Sequence, residues 1–262
     1  MVRCRCCDES TTLKLFSAEL LGKKIDYFEC NKCGYVLTED STWLQEAYTN
    51  PINNSDTGIM LRNLSNISLV MATLTLMQKR KSLIVDYAGG YGFLVRLLRD
   101  IGVNALWADP FSENLVAKGF EFTNQNNASL VTAFESFEHF ERPCEEMVKL
   151  LKIAPNILLT TSIIPEPAPK PSDWWYYGLD HGQHIGFYKL KTLQYIADKF
   201  GLYLISDGFD RHFFSKRKYS YKLWRILMFT ANRIPKLLNI GMKSKTWDDH
   251  LHISKNSPNY IK

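Results

Sequence analysis

The chain has 262 residues and 45% hydrophobic content, the proportion of a soluble globular protein, with room for one large domain and a small second one. No apolar run approaches the ~20 residues that cross a bilayer, and Met1-Val2-Arg3-Cys4 opens no apolar signal core, so a cytoplasmic location is expected. The net charge of +5 sits largely after residue 210; it suits an anionic substrate or membrane surface and is too slight to make nucleic acid an expected partner.

Five of the six cysteines fall in the first 33 residues. Cys4-x-x-Cys7 and Cys30-x-x-Cys33-Gly34 form two pairs, separated by slightly more than the usual zinc-ribbon gap. Four thiolates in two such turns close a tetrahedron around Zn²⁺. Cys6 could replace Cys7, which leaves the register of the first pair open. Free or adventitiously oxidised thiols are the alternative, and disulfides are less expected without a signal peptide. Four thiolates leave no open coordination position, so such a zinc is structural. A head of roughly 40 residues is also small for a core of its own, and metal would do the folding work. Cys144 stands apart and reads as a small buried residue.

Residues 41–66 hold Trp43, Tyr48, Asn50-Pro51, Asn53-Asn54, Asp56 and Arg62, and the Pro/Asn cluster reads as a loop. From Thr57 to Lys79 the spacing of Ile59, Leu64, Ile67, Val70, Leu74 and Met77 predicts a helix, with Asp56 as its candidate cap. Leu83-Ile84-Val85-Asp86 is then a short branched apolar run ending in an acid. Tyr87-Ala88-Gly89-Gly90-Tyr91-Gly92 makes a glycine-rich turn. Phe93, Leu94, Leu97, Leu98 and Ile101 give a helical pattern stopped by Gly102. Glycines let backbone approach a ligand, and the helix start offers free N–H groups. A second strand, Ala105-Leu106-Trp107-Ala108, ends in Asp109. An acid at that tip of a nucleotide-binding βαβ unit is placed to accept both hydroxyls of a ribose.

Further on, Val131-Thr132-Ala133-Phe134-Glu135-Ser136-Phe137-Glu138-His139 precedes Pro143. An apolar strand runs there into a Phe-Glu-x-x-Glu-His element. With the Asp86-to-Gly92 loop, this resembles the class I S-adenosylmethionine-dependent methyltransferases, over roughly residues 80–210. Their loop is acid-x-Gly-x-Gly-x-Gly; here Ala88 stands at the first glycine. The resemblance implies a Rossmann-like α/β fold. It implies that Asp86, Ala88, Gly89, Gly90 and Gly92 hold the methionine end of the cofactor, that Asp109 holds the ribose and that Phe111 flanks adenine. Phe134 and Glu135 are further expected cofactor contacts. The helix before the first strand commonly closes over the cofactor in this family, so Tyr48 and Arg62 face cofactor or substrate, or else only pack. The cysteine head is similar to N-terminal zinc modules on some sugar methyltransferases. The expected organisation is a zinc-ribbon-like module over 1–45, a linker and lid helix over 46–80, the cofactor-binding domain over 81–215 and a basic extension over 216–262.

Beyond the strand 156–161, a proline-rich loop over 163–171 leads into Asp173-Trp174-Trp175-Tyr176-Tyr177-Gly178-Leu179-Asp180-His181-Gly182-Gln183-His184. A loop this long is more than a connection. Aromatic faces suit a sugar ring, which makes Trp175, Tyr176 and Tyr177 candidate substrate contacts. Gly182-Gln183-His184-Ile185-x-Phe187 resembles an element of sugar methyltransferases whose histidine lies near the acceptor. Methyl transfer needs alignment and, for a hydroxyl, a base. His184 is the first candidate, with His181 and His139 after it. In a metal reading, Asp180, His181 and His184, with Glu138, coordinate Mg²⁺ or Mn²⁺, although two imidazoles suit those ions poorly.

Residues 191–200 form an amphipathic helix stopped at Gly201, and 202–206 with 211–215 form a closing hairpin. The tail, with Lys216-Arg217-Lys218, Trp224, Arg225, Phe229, Lys236, Lys243 and Lys245, is basic and aromatic-rich. It lies on an anionic membrane, pairs with another subunit or packs on its own domain. The expected function is methyl transfer from S-adenosylmethionine to a sugar, nucleotide-linked or within a surface glycan, by O-methylation. C-methylation of a keto-sugar is the alternative. The rivals are a degenerate cofactor-binding protein and an RNA methyltransferase.

Overall fold

The structure is a computed structural model that describes residues 2–48, 56–123 and 127–256. The Asn50-Pro51 and Asn53-Asn54 cluster expected as a loop lies outside the described residues. The chain divides into two compact units, Met1–Asn54 with Ala133–Lys218, and Ser55–Thr132 with Tyr219–Lys262.

The first unit opens with β1 (Thr12–Leu20), β2 (Lys23–Cys30) and β3 (Val36–Thr38), followed by the short helix α1 (Leu44–Ala47). β1 and β2 pair antiparallel around Leu21 and Gly22, which both take positive φ, the backbone a two-residue hairpin requires. The second unit begins with α2 (Ile59–Leu76), β4 (Leu83–Tyr87), α3 (Phe93–Asp100) and β5 (Asn104–Ala108). By length and composition alone α2 could cross a membrane, but its second half, from Leu69 on, is mostly buried in the unit. Asp56, the candidate cap in the sequence, does not cap this helix. Its carboxylate is taken by Arg62, one turn into the helix, and Gly58 occupies the cap position without a side-chain bond.

β6 (Leu130–Phe134) runs from the second unit into the first. The first unit then adds α4 (Pro143–Ile153), β7 (Ile157–Thr160), β8 (Gly186–Phe187), α5 (Leu190–Lys199), β9 (Tyr203–Ser206) and β10 (Arg211–Ser215). The six-stranded sheet has the order β5-β4-β6-β7-β10-β9. β4 is parallel to β5 and β6, while β10 is antiparallel to β7 and β9. The central strands are apolar at consecutive positions (Ile84-Val85, Leu130-Val131, Ile157-Leu158-Leu159), and all of these residues are inaccessible, as in sheets covered on both faces. The fold is therefore the expected Rossmann-like α/β fold with a mixed sheet. The smaller sheet has the order β1-β2-β3-β8, so two residues from late in the chain complete it.

The second unit closes with α6 (Tyr221–Arg233), α7 (Pro235–Leu238) and α8 (Thr246–Asn256). Trp224 on α6 is fully buried and its indole N–H donates to Thr73 Oγ1 of α2 at 3.0 Å. α8 is anchored by Asp249, which takes two bonds from Arg99 of α3 (2.6 and 2.7 Å) and one from Arg96 (2.5 Å). The Arg99 guanidinium lies 3.7 Å from the centre of the Phe120 ring. Removing one partner strands a buried charge. Asp249→Ala should cost about 3 kcal/mol in urea unfolding, while Asp248→Ala, at an exposed neighbour, should cost almost nothing.

Candidate active site

In the second unit, β4 delivers Asp86 to the start of the glycine turn. Ala88, Gly90 and Gly92 all take left-handed φ, at 55°, 53° and 88°. Gly92 is the residue from which α3 starts. A Cβ there would stand 2.8 Å from Asn114 Oδ1 and 2.9 Å from Ala117 Cβ; one on Gly89 would stand 2.8 Å from Asp86 Oδ2. The turn is thus drawn against its own carboxylate, which only glycine at 89 permits. Ala88 accepts a backbone that costs a non-glycine residue about 1 kcal/mol.

Asp109, at the tip of β5, is bound by this turn. Its Oδ2 accepts from Gly90 N–H at 2.8 Å, and its Oδ1 from Phe111 and Ser112 N–H at 2.7 and 2.9 Å. Both oxygens expected on a ribose therefore already hold backbone donors, with further lone-pair capacity on each. Phe111 is 75% exposed. Asp86 is 3% exposed, and its Oδ1 accepts from the Thr132 hydroxyl at 2.6 Å. Burial pushes its carboxyl up to about 7 against the pull of Thr132, and Asp109 adds to the rise. Thr132 was not singled out from sequence, although a hydroxyl in an otherwise apolar strand was its signal. Arg62 is held by Asp56 in this unit.

In the first unit, β6 leads past Phe134 to Glu135, at φ 47°, whose N–H donates to the Thr160 carbonyl and hydroxyl at 3.1 and 3.0 Å. A single 3₁₀ turn, Phe137–His139, follows. Around it the structure gathers Tyr48, Glu138, His139, Tyr176, His181 and His184. The His184 ring lies 4.8 Å from His139, 4.8 Å from His181 and 4.7 Å from Tyr176, centre to centre. Tyr176 is the hub. Its hydroxyl donates to Glu138 Oε1 at 2.6 Å and its carbonyl accepts from His184 Nδ1 at 2.6 Å. A carbonyl only accepts, so His184 carries its proton on Nδ1 and, when neutral, has a bare lone pair on Nε2. His181 has the opposite tautomer: its Nδ1 accepts from Gln183 N–H at 3.1 Å. His139 Nδ1 meets Tyr48 Oη at 2.9 Å. Burial pushes His184 down to about 4; burial, then His184 and His181, push His139 well below its ordinary value. The His184 assignment leaves its Nε2 able to accept a proton, whereas the Tyr48 bond is compatible with either tautomer of His139.

The aromatic run does not act as one surface. Trp175 is 81% exposed, whereas Tyr176 and Tyr177 are fully buried. Tyr177 packs edge-on against Tyr27 and Phe187 and donates to the Pro169 carbonyl, which gives it a core role in place of the expected substrate contact. The Asp180–His181–His184 metal set is not formed. Asp180 Oδ1 is 4.0 Å from His181 Nε2, and the grouped ligand atoms are instead those of Glu138, His139 and His184, within 4.8 Å of one another. Two imidazoles with one carboxylate suit Mg²⁺ and Mn²⁺ poorly, since both prefer oxygen ligands. His212 donates from Nε2 to the Thr161 carbonyl at 3.0 Å and meets Ser206 Oγ at 2.8 Å, a structural placement.

A family model described as a methyltransferase domain matches residues 60–207, more than half of the chain. The chain belongs to that family. It is a methyltransferase. No curated protein matches this methyltransferase by sequence. Among solved structures it is similar to magnesium protoporphyrin IX methyltransferase from Synechocystis PCC 6803 with bound S-adenosylmethionine (16% identity, 66% of this chain and 90% of that one, TM-score 0.39). It is also similar to an O-methyltransferase family protein from Burkholderia thailandensis (11%, 68% and 64%, 0.48) and to human N-acetylserotonin methyltransferase (14%, 67% and 66%, 0.42). The chain spans just under two thirds of the latter two.

The head of the methyltransferase places Cys4 Sγ 3.6 Å from Cys33 Sγ and Cys7 Sγ 3.5 Å from Cys30 Sγ, with all four sulfurs within 4.8 Å of one another. A tetrahedron with bonds of about 2.3 Å has sulfur edges of about 3.8 Å, so this set fits a tetrahedral cation. Cys7 completes it, and Cys6 does not. Cys6 interacts instead with Cys33 and with Cys144, which therefore does not stand alone. Cys33 is pulled down to about 6 by bonds from Cys4 and Cys6, while burial pushes Cys7 up to about 12.

The raised Asp86 carboxyl makes stability depend on pH. A carboxyl with a higher pKa folded than unfolded stabilises fully in acid and loses that contribution as pH rises through the folded value. The cofactor-free protein should therefore lose melting temperature as pH rises from about 4 to about 7 and level off above that, and Asp86→Asn should remove that component.

Proposed function

We propose that this methyltransferase O-methylates a sugar, nucleotide-linked or within a surface glycan, with His184 as general base. The observation that carries the reading is the His184 Nδ1–H bond to the Tyr176 carbonyl, which leaves Nε2 as a neutral acceptor. His184 Nε2 would take the proton of the acceptor hydroxyl as its oxygen gains the methyl group. Bound S-adenosylmethionine supplies the methyl group and the thioether leaving group. Burial lowers the pKa of His184 and so favours the neutral form that a general base needs, at the cost of weaker basicity. His139 crowds its ring edge-on and fixes its plane. Exposed Trp175 beside Tyr176 offers an aromatic face of the kind sugars stack on. Asp86 matches the α-ammonium of the cofactor, a cation that would ionise its buried carboxyl, and Asp109 matches the ribose.

The test is methyl transfer over a panel of nucleotide-sugars, read by mass spectrometry. His184→Ala should lower kcat by about 10²-fold or more while calorimetric binding of S-adenosylmethionine stays unchanged. Full turnover in that variant would remove His184 as the base. A product methylated on carbon would replace O-methylation by C-methylation of a keto-sugar, with the same imidazole taking a carbon-bound proton.

We further propose that Cys4, Cys7, Cys30 and Cys33 hold a structural Zn²⁺ in a zinc-ribbon-like head, in a reducing, cytoplasmic setting. Four thiolates side by side repel one another, and a dication relieves that repulsion. Elemental analysis should find one zinc per chain. Chelation or Cys30→Ser should release it and lower the melting temperature, and an unchanged melt would refute the structural role.

A further inference from the structure

From Arg211 to Trp247 the chain carries ten Lys and Arg and no Asp or Glu, while the rest carries 22 Lys and Arg against 27 Asp and Glu. The net charge of +5 thus hides a strongly cationic segment on an acidic remainder. Such separation serves a partner rather than a fold.

Within this segment α6 buries one face, Trp224, Met228 and Ala231, in its own unit. Its opposite face carries Lys222, Arg225, Ile226, Phe229 and Arg233, spaced by three and four residues and all exposed. Ile226 is 60% and Phe229 64% exposed. Large exposed apolar residues continue directly after the helix at Ile234, Leu237 and Ile240. A run of this kind is more than scattered surface. The Arg233 guanidinium sits 5.4 Å from the Phe229 ring and that of Arg225 sits 5.8 Å from Tyr221, so cations and apolar rings stand side by side. Among the described residues no carboxylate pairs with Arg217, Lys218, Lys222, Arg225 or Arg233.

We propose that the outward face of α6, continued to Ile240, docks on an anionic lipid bilayer. Ile226 and Phe229 enter the acyl boundary, and the long side chains of Lys222 and Arg233, at the two ends of the helix, reach back to the phosphates. A second copy fits poorly, since a self-complementary interface would set this cationic face against itself. Single-stranded nucleic acid binds through a cationic groove and aromatic stacking platforms and has no use for Ile226, Ile234 and Ile240.

The test is sedimentation of the full chain with vesicles of phosphatidylcholine alone or mixed with phosphatidylglycerol. Partitioning should be at least about tenfold stronger with phosphatidylglycerol and should weaken in high salt. Lys222→Glu/Arg225→Glu and, separately, Ile226→Ser/Phe229→Ser should each lower it about tenfold with melting temperature unchanged. Ile234→Ser/Ile240→Ser, outside the helix, should lower it as well. Equal binding to both vesicles overturns the proposal. So does wild-type binding by both serine variants, which would mean adsorption by charge alone. Loss of a dimer seen by light scattering in the Ile226→Ser/Phe229→Ser variant, without vesicle binding by the parent, would assign the face to a second copy. Tighter binding to single-stranded RNA, insensitive to the serine changes, would assign it to nucleic acid.

Discussion

The buried 2.6 Å hydrogen bond from the Tyr176 hydroxyl to Glu138 is the constraint on which the histidine cluster depends. It pins the aromatic–histidine loop to the turn that leaves β6. Two further bonds follow from it in space: Ile185 N–H donates to the Glu138 carbonyl at 2.9 Å, and Tyr188 Oη donates to the Phe137 carbonyl at 2.8 Å. Between these ties His184 has nowhere to go but beside His139. Its proton is then fixed on Nδ1 by the carbonyl of the residue that makes the first bond. A buried donor–acceptor pair of this kind costs more to break than to form, because either group left alone is desolvated without a partner. The geometry of the cluster therefore rests on one tyrosine rather than on the histidines.

Burial sets the protonation of both halves of the chemistry. Asp86 is raised and His139 and His184 are lowered, each mainly by loss of water, so each group leans toward its neutral form in the free protein. S-Adenosylmethionine brings two positive charges, the ammonium and the sulfonium. Under the proposed function, Asp86 would hold its charge back until the cofactor's ammonium arrives and so avoid the cost of a buried, unpaired carboxylate.

The parts of this arrangement that the sequence revealed are local ones. The strand, glycine turn and helix from Leu83 to Gly102 follow from apolar period and from residues that punctuate it. The parts it hid depend on long-range partners. Nothing near Asp249 announces Arg99, 150 residues earlier. Nothing in Gly186-Phe187 announces a strand beside β3. The two-residue offset between Cys4 and Cys6 and the three-residue offset between Cys4 and Cys7 are both compatible with a knuckle, and only the presence of Cys144 on the other side separates them. Asp56 met its competitor one turn away, in Arg62, and a charged partner outbids a backbone amide. The aromatic run failed as a single surface because a 3₁₀ turn, Trp175–Tyr177, sends successive side chains in different directions. Consecutive aromatics on such a turn share chemistry and not an environment.

One of the ties between the cysteine head and the histidine cluster is a side chain that lies among the cysteines themselves. Arg5 lies between Cys4 and Cys6, and its guanidinium donates to the Ile185 carbonyl at 2.7 Å and to Thr38 Oγ1 at 3.2 Å. Ile185 is the neighbour of His184. β8 begins at the next residue, pairs with β3 and completes the small sheet that carries Cys30 at the end of β2. A cation at the four sulfurs would therefore do more than close a knuckle. By fixing the backbone on both sides of Arg5 it would hold the donor that fixes Ile185, and through it the carbonyl-bound ring next door. A structural metal there would lie in mechanical series with the proposed base, although no cysteine takes part in the proposed chemistry.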